Sequence, residues 1–314
     1  MNITRRQFLK YTGASALALS ATPIFDKVAM AKALEQGGDP VGILVDTTRC
    51  IGCRSCQAAC KKKNNLPPDP QPLPANRTFP KALSATSFTL VEFRQVDVSG
   101  QRVSPQVKPA GSSQTADPSV AIRTVKKQCM HCLNPACASV CPVGAITKTA
   151  EGPVVYDADK CMGCRYCMAA CPFNIPKFEW DSANPRIRKC NMCADLVAQG
   201  QPTACVAACP VQALQFGKRT DLVAEAQARI GKESSKYTPY IYGLGEVGGT
   251  SVLYLANVPF EQLGFKTDLP RADLPDYTWQ VMEKIPGVAV GVGLLMGTIS
   301  WFTHRKPAHS GEEH

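Results

Sequence analysis

Several ingredients of enzyme active sites are scarce or missing in this sequence of 314 residues. It has only four histidines, no HExxH pair for a catalytic zinc ion and no phosphate-binding loop of the P-loop type. No two carboxylates stand in an apolar pattern that would appose them as acid and base. No cysteine has a base paired with it in the way that a catalytic thiol requires. We therefore predict that the chain is not itself an enzyme.

One dinucleotide-binding pattern does occur, Gly243-x-Gly245-x-x-Gly248, but the sequence predicts neither a strand before it nor a helix after it. We interpret it as a turn-rich loop. With 45% apolar residues, the chain is long enough for one sizeable core or two small domains.

Cysteine is the residue that the sequence has in abundance, with sixteen in four tight groups. The first and third groups have the spacing C-x2-C-x2-C-x3-C: Cys50, Cys53, Cys56 and Cys60, then Cys161, Cys164, Cys167 and Cys171. In bacterial ferredoxins, three thiolates at this spacing wrap one loop around a 4Fe-4S cubane. The fourth thiolate, which we expect at the start of a helix, serves the neighbouring cluster.

The second and fourth groups lengthen the gap before the third cysteine and still end in C-x3-C-P. They are Cys129, Cys132, Cys137 and Cys141, then Cys190, Cys193, Cys205 and Cys209. We therefore predict that all sixteen thiolates bind iron and that they hold four 4Fe-4S clusters.

The cysteine groups are part of an internal repeat. The apolar runs 41–45 and 154–156 are each followed by an aspartate and, four residues after it, by the first cysteine of groups one and three. The ends of groups two and four also match, as CPVGAI and CPVQAL. We predict an α+β fold with two ferredoxin-like modules in tandem and a C-terminal transmembrane helix.

Two other uses of the cysteines compete with iron. Disulfides would suit an oxidising compartment, but three thiols at such short intervals leave no ordinary pairing scheme. Zinc prefers C-x2-C pairs and has no need of a third cysteine at the same interval. His131 lies within the second group, yet its neighbours already supply four thiolates. A cysteine-rich zinc-binding scaffold is the alternative from another functional class.

Outside the cysteine groups, the sequence predicts less regular structure. Segment 64–80 contains six prolines and is expected to be an extended linker, whereas run 88–98 is expected to form a paired strand. A helix is predicted over 220–230, ended by Gly231, and mainly extended chain over 237–275.

The formal net charge is +10, of which the residues before position 32 supply +3. A basic surplus favours nucleic acid or an anionic membrane surface as a partner. Four oxidised clusters at roughly minus two each would offset most of it, so we predict internal compensation and no nucleic-acid binding. A solvated basic face is the alternative. The basic residues near cysteines in the sequence are Arg49, Arg54, Lys61, Lys62, Lys63, Lys126, Lys127, Lys160, Arg165 and Lys189.

The first 31 residues resemble a twin-arginine signal peptide. Arg5 and Arg6 precede a weakly apolar stretch, and Ala29-Met30-Ala31 has the form of a cleavage site. That pathway exports folded proteins, which suits a chain whose clusters must be assembled in the cytoplasm.

Residues 285–303 contain no charge and would span about 28 Å as a helix. The sequence predicts one transmembrane helix there. Positive residues after it put the C-terminus in the cytoplasm, and hence the main domain on the periplasmic side of the inner membrane. The flanking residues in question are Tyr277, Trp279, Trp301, Phe302, His304, Arg305 and Lys306.

Together, these features resemble the four-cluster iron-sulfur subunits of the molybdopterin-oxidoreductase superfamily, and among them the HybA type of hydrogenase 2. A second likeness is to the iron-sulfur subunit of the high-molecular-weight cytochrome complex. The resemblance is densest over 126–145, 157–181 and 187–217.

The resemblance implies that group one pairs with group four and group two with group three. The implied ligand sets are site 1 (Cys50, Cys53, Cys56, Cys209), site 2 (Cys190, Cys193, Cys205, Cys60), site 3 (Cys129, Cys132, Cys137, Cys171) and site 4 (Cys161, Cys164, Cys167, Cys141).

It also implies a non-catalytic electron relay between a periplasmic nickel-iron hydrogenase and a polytopic quinone-reactive membrane subunit. The same relay in a cytochrome or molybdopterin complex is the alternative. The expected domains are a signal peptide (1–31), a four-cluster domain (32–236) with an insertion (61–125), an extended segment (237–284), the transmembrane helix (285–303) and a cytoplasmic tail (304–314).

Overall fold

A computed structural model describes residues 38–73, 77–98 and 120–304 of the chain. The predicted twin-arginine signal peptide (1–31) and the predicted tail after residue 304 lie outside the described residues. The chain divides into two compact units, and their described parts are residues 38–275 and 276–304.

The described part of the chain contains nine strands and eight α-helices. The strands are β1 (Val41–Asp46), β2 (Leu90–Asp97), β3 (Val120–Lys127), β4 (Ile146–Lys148), β5 (Val154–Tyr156), β6 (Lys177–Phe178), β7 (Ile187–Arg188), β8 (Leu214–Lys218) and β9 (Val252–Leu255). The helices are α1 (Ser55–Lys63), α2 (Ala136–Ser139), α3 (Tyr166–Ala170), α4 (Ala194–Val197), α5 (Ala204–Ala207), α6 (Arg219–Lys232), α7 (Leu274–Met282) and α8 (Ile285–Thr303). The mixed α and β content agrees with the predicted class.

The centre of the larger unit is a three-stranded sheet in the order β8-β1-β9. β1 pairs with β8 in antiparallel and with β9 in parallel orientation. Successive residues of a strand face opposite sides: Leu44 packs with Leu222 and Ala226 of α6, whereas Ile43 and Val45 join the core on the side of the cysteines. Helix α6 thus covers one face of the sheet and leaves the other face to the loops that carry the cysteines.

Strand pairing connects the four cysteine groups in a nested way. β1, before group one, pairs with β8, after group four, while β4, after group two, pairs with the predicted strand β5, before group three. Both apolar runs predicted as strands, 41–45 and 154–156, are confirmed. The strands therefore bring group one to group four and group two to group three.

The prediction that the fourth cysteine of a group begins a helix is wrong. Helix α1 begins before Cys56 and contains Cys60, and α3 contains Cys167 and ends just before Cys171. Residues i and i+4 lie on one face of a helix, a turn apart, so a helix that carries the third thiol also directs the fourth. α1 continues past Cys60 to Lys63, although lysine replaces the proline common at position 61.

The run 88–98 forms the predicted strand, β2, which pairs along its whole length with β3. Most of this ribbon lies within the expected insertion, yet it packs into the core through Val91, Val96 and Val125. Described residues 64–73 and 77–80 contain no helix or strand, as expected for a proline-rich linker.

The helix predicted over 220–230 is confirmed, but its end is not: α6 continues through Gly231 to Lys232. Segment 237–275 contains the extended strand β9, as predicted, but also a 3-10 turn at Glu246–Gly248 and the start of α7. The glycine-rich pattern there is a turn-rich loop, as interpreted. In the smaller unit, α8 coincides with residues 285–303.

One helical segment among the described residues, Leu274–Thr303, is long and apolar enough to cross a membrane, with a mean hydropathy of 1.7 and no burial.

Candidate metal centres

Two cavities are each lined by four thiols from two cysteine groups. The first is lined by Cys50, Cys53, Cys56 and Cys209. The second is lined by Cys141, Cys161, Cys164 and Cys167. The structure therefore brings together the thiols expected at sites 1 and 4.

The thiols expected at sites 2 and 3 also gather, at more buried positions. Burial raises the pKa of Cys60, and the nearby charges of Cys190, Cys205 and Cys193 raise it further. Burial likewise raises the pKa of Cys132, with added contributions from Cys129, Cys171 and Cys137. Each set combines three thiols of one group with one from another.

Neighbouring sets follow one another in the order 1, 2, 3, 4. Cys56 of site 1 is close enough to Cys205 of site 2 for the two charges to interact. The same holds for Cys190 of site 2 and Cys129 of site 3, and for Cys137 of site 3 and Cys167 of site 4. The four sets thus form a line through the larger unit.

The most exposed ligands lie at the two ends of this line. Cys53 and Cys164 are exposed, whereas the other fourteen cysteines are buried or intermediate. Beside Cys164 lie the large exposed side chains of Met162 and Tyr166. Arg165 lies 5.3 Å from the ring of Trp180, which is also exposed. The mouth of site 4 is therefore surrounded by apolar surface.

The arrangement of thiols fits polynuclear clusters better than the two competing uses. All sixteen cysteines are free in the structure. Among the described residues, no three histidine, cysteine or carboxylate side chains converge closely enough to bind a single metal ion. A zinc site needs four ligands about 2.3 Å from one ion, whereas a cubane separates its four thiolates by its own width. At sites 1 and 4, four thiols from two cysteine groups line one shared cavity.

Positive backbone φ angles shape the loops of the two equivalent sites. Gly52 and Gly163 have φ of 71° and 74°, a region that costs glycine little and other residues more. Arg54 and Arg165 follow with φ of 60° and 63°. This turn directs backbone N–H groups inward, and Gly163 N–H lies 3.4 Å from the Cys161 sulfur. Such N–H···S bonds stabilise cluster thiolates and tune their potential.

Two further backbone donors contact thiols in the same manner. Ala145 N–H lies 3.2 Å from Cys141 Sγ, and Met192 N–H lies 3.4 Å from Cys190 Sγ. The matching C-P-V-x-A pattern at the ends of groups two and four helps to place the donor at Ala145.

The basic residues near the cysteines differ in whether a carboxylate balances their charge. Four of them pair with carboxylates: Arg49 with Asp46, Lys61 with Asp69, Lys63 with Asp195 and Lys160 with Asp157. Lys126 and Lys189 are buried as well, but among the described residues no carboxylate pairs with either of them. The predicted internal compensation therefore rests on a few buried lysines and not on the whole basic set.

Lys148 is a basic residue at the thiols that the sequence did not indicate. Its Nζ donates to Cys132 O at 3.0 Å and to Gly152 O at 2.9 Å. Burial lowers the pKa of Lys148 to about 8, against the opposing effect of Cys132 and Cys129. It reaches site 3 only because β4 and β5 fold back on group two, which no local signal predicts.

His131 is completely buried within the second cysteine group. It is not one of the expected cluster ligands, but its ring nitrogens are available for hydrogen bonds. Its Nδ1 accepts a hydrogen bond of 2.9 Å from Val154 N–H. Burial, with added repulsion from Lys189, Lys148 and Lys126, lowers its pKa well below the usual value. The neutral ring therefore carries its proton on Nε2, and this buried atom has no partner among the described residues. A cluster sulfur would be a suitable acceptor.

Comparison with known families supports an iron-sulfur domain. Residues 120–219 match the family model of the 4Fe-4S dicluster domain. This range contains cysteine groups two, three and four.

Three relatives extend the similarity over most of the chain. A protein of Nitratidesulfovibrio vulgaris is 39% identical over 98% of this chain and 79% of its own length. The hydrogenase-2 operon protein HybA of Escherichia coli O157:H7 is 34% identical over 86% of this chain and 85% of its own. The formate dehydrogenase iron-sulfur subunit of Haemophilus influenzae is 33% identical over 82% and 78%.

Proposed function

The chain belongs to the family of HybA-type iron-sulfur subunits, which are non-catalytic electron-transfer subunits of oxidoreductase complexes, and we propose that it holds four 4Fe-4S clusters in a single relay. The sixteen cysteines are the ligands, in the sets named site 1 to site 4. Bound clusters supply one-electron redox chemistry.

The observation that carries this proposal is the line of four thiol sets with an exposed ligand at each end. The cysteines of the inner sites are buried or partly buried, while exposed Cys53 and Cys164 open the two ends to partners. The chain's own residues separate the sites, exclude water from the inner ones and donate N–H···S bonds. They bind no substrate.

The two modules of this relay are nested and not sequential. Groups one and four form one module around β1 and β8, and groups two and three form the other around β4 and β5. The proposed four-cluster domain is 32–236, and the ribbon from the expected insertion, 61–125, contributes Val91 to the wall of site 1.

In the proposed topology, the twin-arginine signal peptide 1–31 exports the folded chain and α8 anchors it. Segment 237–284 leads into the membrane, and tail 304–314 is cytoplasmic. The 19 uncharged residues of α8 and the positive residues after them support this orientation. The main domain is then periplasmic, on the outer side of the inner membrane.

The proposed partners are a periplasmic nickel-iron hydrogenase and a polytopic quinone-reactive membrane subunit. The similarity to a hydrogenase-2 operon protein supports this choice. The relay connects them by passing single electrons between the two exposed ends.

A second set of partners is favoured by a separate observation, the 33% identity to a formate dehydrogenase iron-sulfur subunit. In that case the catalytic partner is a molybdopterin enzyme, and the relay is otherwise unchanged.

The test uses membranes that contain the intact complex, kept anaerobic. Hydrogen should produce the electron paramagnetic resonance (EPR) signals of reduced clusters, and a quinone analogue should then remove them. A mild-detergent pull-down should recover the hydrogenase subunits with this chain. Reduction by formate and not by hydrogen would replace the hydrogenase by the second candidate. An iron-free protein with bound zinc would overturn the relay and support a scaffold.

A further inference from the structure

Lys126 carries a positive charge at one of the least accessible positions of the molecule. Only 1% of the residue is exposed, and it lies one residue before the end of β3, where it pairs with Val91 of β2. Its backbone is held by a 3.0 Å hydrogen bond from Tyr254 OH to Lys126 O. The side chain is therefore fixed in the core and is not free to reach solvent.

The charge of Lys126 has no carboxylate to balance it. Within the residues that the structure describes, no aspartate or glutamate pairs with it, and its ammonium donates to the neutral amide oxygen of Gln128. An isolated buried ammonium costs several kcal/mol or more. A fold that keeps one there must supply negative charge nearby by other means.

The negative charge that is available comes from the thiols of two sites. Lys126 lines the cavity of site 1 together with Cys50, Cys53, Cys56 and Cys209. Cys205, Cys190 and Cys60, together with Cys56, are also close enough to the Lys126 ammonium for their charges to interact with it. Those four residues belong to sites 1 and 2. Lys126 is thus positioned between the first two sites and belongs to neither set of ligands.

We propose that Lys126 is a positioning residue that raises the reduction potentials of the clusters at sites 1 and 2 together. The inference rests on the proposed function, since it requires clusters at both sites. A fixed positive charge stabilises the reduced cluster, which carries one more negative charge than the oxidised form. In a water-free setting this effect is screened little.

Lys61 provides a control, because it is a buried lysine whose charge is balanced by a carboxylate. It is also buried and directly follows the ligand Cys60, but its Nζ lies 2.5 Å from Asp69 Oδ1. Replacing both partners, Lys61→Met with Asp69→Asn, removes a buried ammonium near site 2 without changing the net charge.

The experiment is an EPR-monitored redox titration of the full-length protein, purified anaerobically, with iron measured in every sample. Lys126→Met keeps the length of the side chain and removes its charge, so two of the four midpoint potentials should fall and two should stay. Lys126→Arg keeps the charge and should restore them. The Lys61→Met and Asp69→Asn pair should leave all four in place.

Gln128→Glu is the second variant. It replaces the amide that accepts the hydrogen bond from Lys126 by a carboxylate of nearly the same shape. It should lower the same two potentials even if Lys126→Met does not retain its clusters. Unchanged potentials in an iron-loaded Lys126→Met or Gln128→Glu protein would overturn the inference, as would an equal fall at all four clusters. A wild-type protein without clusters would instead overturn the proposed function, and this inference with it.

Discussion

At the scale of single residues, the two halves of the repeat have diverged around one aspartate. Asp46 is buried and accepts hydrogen bonds from Tyr237 OH at 2.8 Å and from Arg229 at 3.1 Å. Its counterpart Asp157 is half-buried, with 43% of its side chain exposed, and pairs with exposed Lys160 at 3.1 Å. The same position in the repeat therefore serves the core in one module and the surface in the other.

This divergence predicts unequal effects of the same substitution. Asp46→Asn leaves buried Arg229 without its buried counter-charge, so we expect a loss of stability on the order of 3 kcal/mol. Asp157→Asn should change stability little, because exposed ion pairs contribute little. Anaerobic thermal melting, followed by loss of the cluster absorbance, compares the two. Equal melting temperatures for the two variants would contradict the assigned role of Asp46.

The candidate cluster ligands could be predicted from the sequence, because their spacing along the chain is a local feature. Thiols at C-x2-C-x2-C spacing indicate a cubane whatever the fold around them. The partners of buried lysines could not be predicted in this way: Lys61 and Lys126 both stand near cysteines in the sequence, and only the structure pairs one with Asp69 and leaves the other with Gln128. The long-range fold decides which charge is balanced by a carboxylate.

At the scale of elements, helix α6 does not end at the glycine that predicts its end. Gly231 suggested a helix end, but the helix continues to Lys232. No positive φ occurs at Gly231, and a Cβ there would meet open space. Packing of Leu222 and Ala226 against the sheet sustains the helix beyond the point where propensity alone would end it.

Replacement of this glycine tests the corrected helix end. Gly231→Ala should stabilise the protein by about 0.5–1 kcal/mol, because alanine favours the helix and restricts the unfolded chain. Gly200 is the matched control: its Cβ would also meet open space, but its φ is +70°. Gly200→Ala should therefore destabilise by about 1 kcal/mol. Denaturant melting under anaerobic conditions measures both, and a destabilising Gly231→Ala would show that the helix ends there after all.

The strand pairs explain which part of the architecture was accessible to sequence reasoning. Both strands of the repeat, 41–45 and 154–156, are visible as apolar runs. Their partners β8 and β4 follow groups four and two, and sequence distance gives no indication of this choice. The repeat predicts two modules that follow one another along the chain. The pairing of β1 with β8 favours a nested arrangement, in which groups one and four enclose groups two and three in the sequence.

At the scale of the whole molecule, the proposed anchor predicts where the protein is found. Leu294 lies at the centre of α8, where lysine costs about 2.5–3.5 kcal/mol on insertion. Leu294→Lys should move much of the protein from the carbonate-resistant membrane fraction to the soluble fraction. Gln280→Lys, in α7, should not. If Leu294→Lys stays in the membrane, α8 is not the anchor and partner subunits hold the chain there.

The signal peptide and the orientation of the tail remain predictions from the sequence, because they depend on residues outside the described part of the chain. The four-site relay depends on contacts between residues as far apart as Cys50 and Cys209, which share one cavity. This shared cavity makes groups one and four a single module.

The most direct measurement is EPR spectroscopy of the reduced Cys209→Ser protein beside Cys50→Ser, both full length. Both variants should alter the signal of one and the same cluster, while about twelve of the sixteen expected irons and the other three signals remain. If Cys209→Ser instead alters the cluster that Cys190→Ser alters, group four keeps its own thiols together, and the cross-chain ligand sets are wrong.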